Sequence, residues 1–282
     1  MEVFTALKTA LESEDGFLIG RNGQLELSLM VGNSEIKDEY LNRLELHAGI
    51  FPMPSKQLFL AWREESIKAT RAADMLVVGW YKPLAEVESA ALNIWQVKAK
   101  HIPLRSLEPY YEPPEHQWTS LLKDQDVAVV TSFTKTASEQ VKKGAYKIWG
   151  DRKVLDDSTR WHWIQTGHAP SVAKGTNEWP VEISTWQDAA KYIVGEVVKT
   201  GARIVLIGCG GLSMPIARML ALRGHIVIVM GGAIQVLFGI KGQRWATHPI
   251  ISTFWNESWV WPSKEETPAG AALIEGGCYW KI

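Results

Sequence analysis

The chain has 282 residues, of which 46% are hydrophobic, so it is long enough to bury one large core or two modest ones and is not expected to be disordered. Thirty Lys and Arg residues balance 31 Asp and Glu residues, and the resulting net charge of -1 excludes a global attraction to nucleic acid or anionic lipid. Because the charge is balanced, a small molecule is the expected partner. Two cysteines are too few for a disulfide framework.

The N-terminal segment and the apolar runs predict where the protein works. A signal peptide has a basic start followed by an apolar run. Residues 1–16 are acidic and do not have this pattern. The apolar runs are too short to span a bilayer, which takes about 20 residues. These features predict a cytoplasmic protein without a transmembrane segment.

In the first 115 residues, apolar periodicity predicts helices that alternate with short strands. Helices are expected at 1–13, 25–29 and 58–71, and strands at 17–20, 75–80 and 102–104. Prolines at 109, 113 and 114 mark a stiff connector. We therefore predict an N-terminal α/β part over 1–115 and a Rossmann-like nucleotide-binding part with an aromatic tail over 116–282, with one continuous domain as the alternative.

After the connector the alternation becomes more regular. Strands are expected at 126–133, 161–165, 203–207 and 226–230, and helices at 136–149, 186–199 and 214–223. Such a series of βαβ units forces a parallel sheet whose ligand site lies at the carboxyl ends of the strands. The predicted fold class is α/β, a Rossmann-like doubly wound and mostly parallel sheet.

A glycine turn follows the strand at 203–207 in the sequence IVLIGCGGLSMPIARML. Gly208, Gly210 and Gly211 lead into a helix beginning near Ser213, and free backbone N–H groups at a helix N-terminus bind phosphate. The spacing is not the dinucleotide fingerprint, because Ser213 takes the place of the last glycine and no acidic residue follows the next strand. NAD is therefore disfavoured. A turn packed closely for structural reasons is the alternative reading.

A second glycine loop, Gly231-Gly232, follows the strand at 226–230. Shortly afterwards Lys241 and Arg244 place two cations among further glycines. These cations are candidates to hold a diphosphate, which arginine can do through two hydrogen bonds at once. The alternative is that both are solvated loop charges.

A carboxylate follows the first strand in the sequence Arg21-Asn22-Gly23-Gln24-Leu25-Glu26. At the carboxyl end of a strand, Glu26 is a candidate to ligate a divalent metal, to act as a base or to bond a sugar hydroxyl. An exposed glutamate in the first turn of a helix is the alternative.

Three further segments carry candidate site residues. Ser132, Thr134 and Lys135 lie at the end of a buried strand and either contact a nucleotide or cap the next helix. His47 is a candidate base or a structural histidine. Glu257 lies between tryptophans, a setting that raises a carboxyl pKa and suits acid–base work, or it is a surface acid.

Segments along nearly the whole chain resemble known glycosyltransferases. Arg21-x-Gly23-x-x-Glu26 resembles the R-x-G-D-x-E start of the GT-D-type glycosyltransferases, a Rossmann-like class in which an aspartate-x-glutamate pair serves the metal-bound sugar nucleotide. The later segments are similar to a related group of proteins from bacterial surface-polysaccharide clusters and large viruses. These segments are LEPYY, QWTSLLKDQDVAVVTSF, IGCGGLSMPIARML, GGAIQVLFGIKGQRW and EGGCYW.

The resemblance implies a GT-D-like fold and the transfer of a sugar from a nucleotide-sugar donor, with UDP as the expected nucleotide. The acceptor is expected to be a glycan hydroxyl, in surface-polysaccharide or glycoprotein glycan synthesis. Arg21 and Gly23 then belong to the donor site, and the segment GGAIQVLFGIKGQRW adds Gln235. Glu26, His47 or Glu257 is expected to deprotonate the acceptor, and an inverting displacement is preferred because it needs only one base.

One motif position departs from this pattern, because Gln24 stands where the motif has its aspartate. Either Glu26 binds Mn²⁺ or Mg²⁺ nearly alone, or cations such as Lys241 and Arg244 neutralise the leaving diphosphate instead, and we prefer the second. The same departure supports the rival hypothesis of a non-catalytic nucleotide- or glycan-binding protein with this fold. A homodimer is left open.

The sequence contains 14 tryptophans, and aromatic faces stack on sugars. Trp245, Trp255 and Trp259 are the candidates to stack on the acceptor glycan.

Overall fold

The fold is seen in a computed structural model that describes residues 2–32, 45–51 and 55–282. Its strands are β1 Phe17–Arg21, β2 Met75–Val77, β3 Lys100–Ile102, β4 Asp126–Thr131, β5 Arg160–Gln165, β6 Ile204–Gly208 and β7 Ile226–Val229. The helices before β4 are α1 Glu2–Glu12, α2 Gln24–Val31, α3 Lys56–Arg71, α4 Ala85–Ile94 and α5 Leu104–Leu107. The later helices are α6 Thr134–Lys142, α7 Ala145–Trp149, α8 Pro170–Ala173, α9 Trp186–Thr200, α10 Ser213–Ala221, α11 Ala233–Leu237 and α12 Gln243–Ala246.

The seven strands form one sheet in the order β3-β2-β1-β7-β6-β4-β5, and each strand pairs in parallel with its neighbours. Helices cover both faces, so the predicted Rossmann-like doubly wound α/β fold is confirmed. The connector predicted near residue 115 falls between β3 and β4. β1 nevertheless pairs with β7, so strands from both predicted parts share the sheet.

Alternation along the strands divides the core between the two faces. Ile19, Val127 and Val129 pack on one face with α1, α6 and α7, whereas Leu18 and Val130 pack on the other with α3, α9 and α10. Because successive side chains of a strand point to opposite faces, a strand buried on both sides needs a continuous apolar run. The burial of these runs in the centre of the sheet explains why they predicted the strands so directly.

Glycines set several element ends differently from the predicted boundaries. The helix expected over 136–149 is two helices, because Gly144 between α6 and α7 has a φ of +108°, which no helix accommodates. The strand expected over 75–80 ends at Val77, shortly before Gly79 at a φ of +64°. Among the described residues, no helix combines the length and apolar character needed to cross a membrane.

The N-terminus of α6 is capped by a carboxylate from the C-terminal tail, residues 263–282. Glu266, which is 2% exposed, accepts hydrogen bonds from the backbone N–H of Lys135 at 2.6 Å and of Thr136 at 3.1 Å, and from the Thr136 hydroxyl. A carboxylate at this position satisfies unpaired helical N–H groups and interacts favourably with the helix dipole. The tail is thereby fastened to the carboxyl edge of the sheet.

Replacing Glu266 by glutamine is expected to lower the free energy of unfolding by about 2 kcal/mol, because buried hydrogen bonds to a charged group are lost and an amide N–H₂ faces donors. Urea unfolding measures the change. Glu265→Gln is the matched control, since the Glu265 side chain is exposed and its ion pair with Lys135 Nζ, at 3.0 Å, lies on the surface. Equal stability of the two variants would contradict a capping role for Glu266.

Candidate functional site

A cavity of about 920 Å³ opens at the carboxyl edge of the sheet. It is lined by residues that follow β1, β4, β5, β6 and β7, together with residues 45–51 and the C-terminal tail. Doubly wound sheets bind their ligands at this edge, and the volume lies in the range of small-molecule sites.

Glu26 lies in the first turn of α2 and lines the cavity, partly buried. Burial raises its pKa above the ordinary glutamate value, and this outweighs the lowering by its own backbone N–H and by the Arg21 charge. The Glu26 carboxylate folds back over Gly23, the residue that precedes α2, so closely that a Cβ at Gly23 would collide with it. A glycine is therefore needed three residues before Glu26, because any larger residue there would collide with the Glu26 carboxylate.

Replacing Gly23 by alanine is expected to push the Glu26 carboxylate out towards solvent and lower its pKa towards 4.5, the ordinary value. The added methyl meets the end of a flexible side chain, so the fold itself should be little affected. A carbon-13 NMR titration of the glutamate carboxyls measures the pKa. An unchanged pKa for Glu26 in Gly23→Ala would show that this close contact does not position the carboxylate.

The glycine loops after β6 and β7 lie against each other. A Cβ at Gly208 would come within 2.5 Å of the Gly231 carbonyl oxygen. A Cβ at Gly210, whose φ is +58°, would come equally close to the Ala48 carbonyl oxygen. The Gly211 N–H donates to the same Ala48 carbonyl at 2.6 Å. Glycine is therefore required here partly by packing, and these close approaches bring residues 45–51 over the loop as one cavity wall.

Arg21, the last residue of β1, is held between the β7 loop and an indole. Its guanidinium carbon lies 4.7 Å from the centre of the Trp80 ring, a cation–π geometry. Gly231, at a φ of +57°, leaves the space that Arg21 Nη1 fills. Arg21 Nε is buried and has no hydrogen-bond partner among the described residues. The side chain thus keeps donor capacity at the cavity wall.

A second guanidinium, that of Arg244 in α12, also lies near the β7 loop. Arg244 lies over the Tyr279 ring at 4.9 Å and pairs with Glu275 of the tail, with 3.5 Å between Arg244 Nη1 and Glu275 Oε2. A Cβ at Gly232 would be 3.6 Å from Arg244 Nη1. Each of the two glycines of the β7 loop therefore has an arginine beside it.

Most of the residues singled out in the sequence line this cavity. From the N-terminal part they are Arg21, Gly23, Glu26 and His47. From the second part they are Ser132, Gly208, Gly210, Gly231, Gly232, Gln235 and Arg244. His47 is exposed at the rim, where its Nδ1 accepts a hydrogen bond of 3.5 Å from the Glu275 backbone N–H, so only Nε2 is left for other partners.

The other candidates lie elsewhere. The Ser213 hydroxyl accepts from the Cys209 N–H at 3.1 Å, Thr134 bonds the Gln165 side chain, and Lys135 pairs with Glu265. Gly211 borders a separate small crevice. Lys241 Nζ lies over the Trp255 ring at 5.4 Å, and Glu257 is an exposed acid outside the cavity. Of the two cations predicted to face a diphosphate, only Arg244 is in the cavity wall.

The tryptophans of the cavity differ from those expected. Trp245 and Trp259 are 8% and 2% exposed and belong to the core. The indoles that line the cavity are Trp80, Trp179 and Trp280, from the loops after β2 and β5 and from the tail. Sequence reasoning also missed His168, Glu275 and Tyr279. Only the EGGCYW segment, which the resemblance includes, signalled any of these residues.

The donor set around Glu26 does not fit a divalent cation held by the protein alone. The neighbouring Gln24 is an exposed neutral amide, and burial favours the protonated form of Glu26. Within residues 2–32, 45–51 and 55–282, no three His, Cys, Asp or Glu side chains are grouped as metal ligands. Comparison with protein-family models, with curated proteins and with solved structures finds no match to this chain.

Proposed function

We propose that the protein transfers a sugar from a nucleotide-sugar donor to a hydroxyl of a glycan acceptor. The observation that carries the proposal is the position of Glu26 beside Arg21, in a cavity where two glycine loops meet at the carboxyl edge of the sheet. Such a site combines a place for a diphosphate with a carboxylate able to accept a proton. The resemblance of the Arg21-to-Glu26 segment to GT-D-type glycosyltransferases supports the same proposal.

In the proposed reaction, the diphosphate lies between Arg21 and Arg244, at the loops that contain Gly208 and Gly231. The acceptor oxygen attacks the anomeric carbon of the donor sugar, and its proton passes to the Glu26 carboxylate. The bond between that carbon and the phosphate oxygen breaks, and its electron pair leaves with the nucleoside diphosphate. The two guanidinium groups stabilise the developing negative charge, the largest contribution to catalysis expected of such a site. A single displacement of this kind inverts the anomeric configuration.

A binding protein without transfer activity is the second candidate. The observation in its favour is the exposed Gln24 amide at the position where the resembling motif carries aspartate. The two candidates share the donor site and differ in turnover, so binding measurements support both, and only product formation separates them.

Donor binding is tested by thermal unfolding in the presence of nucleoside diphosphates and nucleotide sugars, with Mg²⁺, Mn²⁺ or EDTA. At a ligand concentration of about 100 times Kd, we expect stabilisation by about 2.7 kcal/mol, which raises Tm by about 5 °C in a chain of this size. In the proposed site two arginines, rather than a metal held by the protein, neutralise the diphosphate, so the shift should persist in EDTA. NAD serves as the control nucleotide. No shift with any diphosphate would remove the basis of the donor site.

A further inference from the structure

The cavity is divided into a charged part and an uncharged part. Arg21, Glu26, Arg244 and Glu275 lie around the β1 and β7 loops and the tail. Five other lining residues carry no charge and are here called the neutral lobe: Phe133, His168, Trp179, Gln235 and Trp280.

The neutral lobe is aromatic and carries no charge at neutral pH. The Trp280 ring lies 6.0 Å from both the Phe133 and the His168 rings, measured between centroids. Burial lowers the pKa of His168 to about 4, so its imidazole is neutral. The neutral lobe therefore suits a flat uncharged group, and the charged part suits an anion.

Three polar atoms of the neutral lobe have no hydrogen-bond partner among the described residues. They are Gln235 Oε1, His168 Nε2 and Trp179 Nε1, and all three are buried. Gln235 is 1% exposed, and its Nε2 donates to the Lys241 carbonyl at 2.9 Å and the Tyr279 carbonyl at 2.7 Å. Both amide protons are thus committed, which leaves Oε1 as an acceptor, while an indole N–H only donates.

Unpaired buried polar atoms are rare because each costs about 1–3 kcal/mol. Three such atoms belong to residues that line one cavity, and they point to a ligand that offers both an N–H or O–H donor and an acceptor. An aromatic ring with polar edges has these properties, since its faces can pack between the side chains while its edge pairs with them.

We propose that the neutral lobe binds the nucleobase of the donor, with Gln235 Oε1 accepting from an N–H of the base and Trp179 Nε1 donating to a ring nitrogen or carbonyl. This inference rests on the proposed function. In a nucleotide sugar, the base and the transferred sugar are attached at opposite ends of the diphosphate. The sheet places most of the sites in the same order: Glu26 follows β1, the glycine loops follow β7 and β6, and of the neutral lobe Phe133 follows β4 while His168 and Trp179 follow β5. Gln235, from α11 after β7, and Trp280, from the tail, complete the lobe.

The distance across the sheet from β1 to β5 is also long enough for a nucleotide sugar. Neighbouring strands lie about 4.8 Å apart, so β5 is about 19 Å from β1, and the loops of β7 and β6 come between them. A diphosphate at these loops leaves one end of the donor at Glu26 and the other in the neutral lobe.

The test compares inorganic pyrophosphate with UDP, CDP, ADP and GDP by isothermal titration calorimetry on the full chain. We expect at least one nucleoside diphosphate to bind at least tenfold more tightly than pyrophosphate. Trp179→Phe and His168→Phe, which keep a ring in the neutral lobe and remove its free nitrogen, should each reduce that advantage about tenfold and leave pyrophosphate binding unchanged. Trp161→Phe is the matched control, because the Trp161 indole N–H also lacks a partner among the described residues but lies outside the cavity.

The outcomes separate this inference from the proposed function. If pyrophosphate binds as tightly as every nucleoside diphosphate, or if both neutral-lobe variants keep the full advantage, the nucleobase assignment is overturned and the diphosphate site stands. If neither pyrophosphate nor any nucleoside diphosphate binds, the proposed donor site fails, and the assignment fails with it.

Discussion

Replacing Glu26 by glutamine is expected to lower the rate of sugar transfer by about 10²- to 10⁴-fold, the usual contribution of a positioned general base. The amide has nearly the same shape as the carboxylate but cannot take the proton from the acceptor hydroxyl. The rate is measured as nucleoside diphosphate released in the presence of acceptor. Since burial raises the pKa of Glu26, the wild-type rate should fall on acidification at a pH above 4.5, the ordinary value, as the base becomes protonated.

The same substitution should stabilise the fold. The unfolded carboxyl titrates at its ordinary value, whereas the folded one binds its proton more tightly, so folding stability falls as pH rises from 4.5 through the raised folded-state pKa. Above that window Glu26→Gln no longer buries a charge and should have a higher Tm than the wild type. His47→Gln and Glu257→Gln are measured in parallel. Full activity in Glu26→Gln, with loss of activity in His47→Gln or Glu257→Gln, would show that His47 or Glu257 is the base instead.

Replacing Arg21 by glutamine is expected to weaken nucleoside diphosphate binding by about 30- to 700-fold, since a partly buried charged hydrogen-bond donor contributes about 2–4 kcal/mol. Arg21 lines the cavity, its buried Nε has no partner among the described residues, and Trp80 and Gly231 fix its position. Calorimetric titration with a nucleoside diphosphate measures the change.

A matched control for this substitution is Arg105→Gln. The exposed Arg105 also stacks on an aromatic ring, with its guanidinium carbon 5.2 Å from the centre of the Tyr111 ring, but it does not line the cavity. Its replacement should leave the affinity unchanged. Equal affinity losses in the two variants would point to a nonspecific effect of net charge.

The sheet was predictable from sequence because its signals are local. The apolar runs that form β4, β6 and β7 are buried on both faces, and a glycine turn follows β6 and β7 directly. These local signals suffice to place the glycine loops and Glu26 at the carboxyl edge of the sheet. The relation of Gly23 to Glu26 is also local, three positions along one helix start.

The remaining walls of the cavity come from residues far apart in the chain. Glu266 bonds Thr136 in the first turn of α6 across 130 residues, and Glu275 meets His47 across 228 residues. No periodicity or turn signal encodes such pairings, because they depend on how the tail packs after the sheet has formed. The same applies to His168 and Trp179, which lie in irregular segments after β5, and to Lys241, whose distance from the cavity is set by the tertiary fold.

Transfer itself is tested most directly by incubating the purified protein with a panel of nucleotide sugars, with and without glycan acceptors, and measuring the nucleoside diphosphate released. We expect one class of nucleotide sugar to give release that depends on acceptor, persists in EDTA and is lost in Glu26→Gln. If nucleoside diphosphates bind at the cavity but no nucleotide sugar is turned over with any acceptor, the protein is a binding module and the proposed glycosyltransferase activity is contradicted.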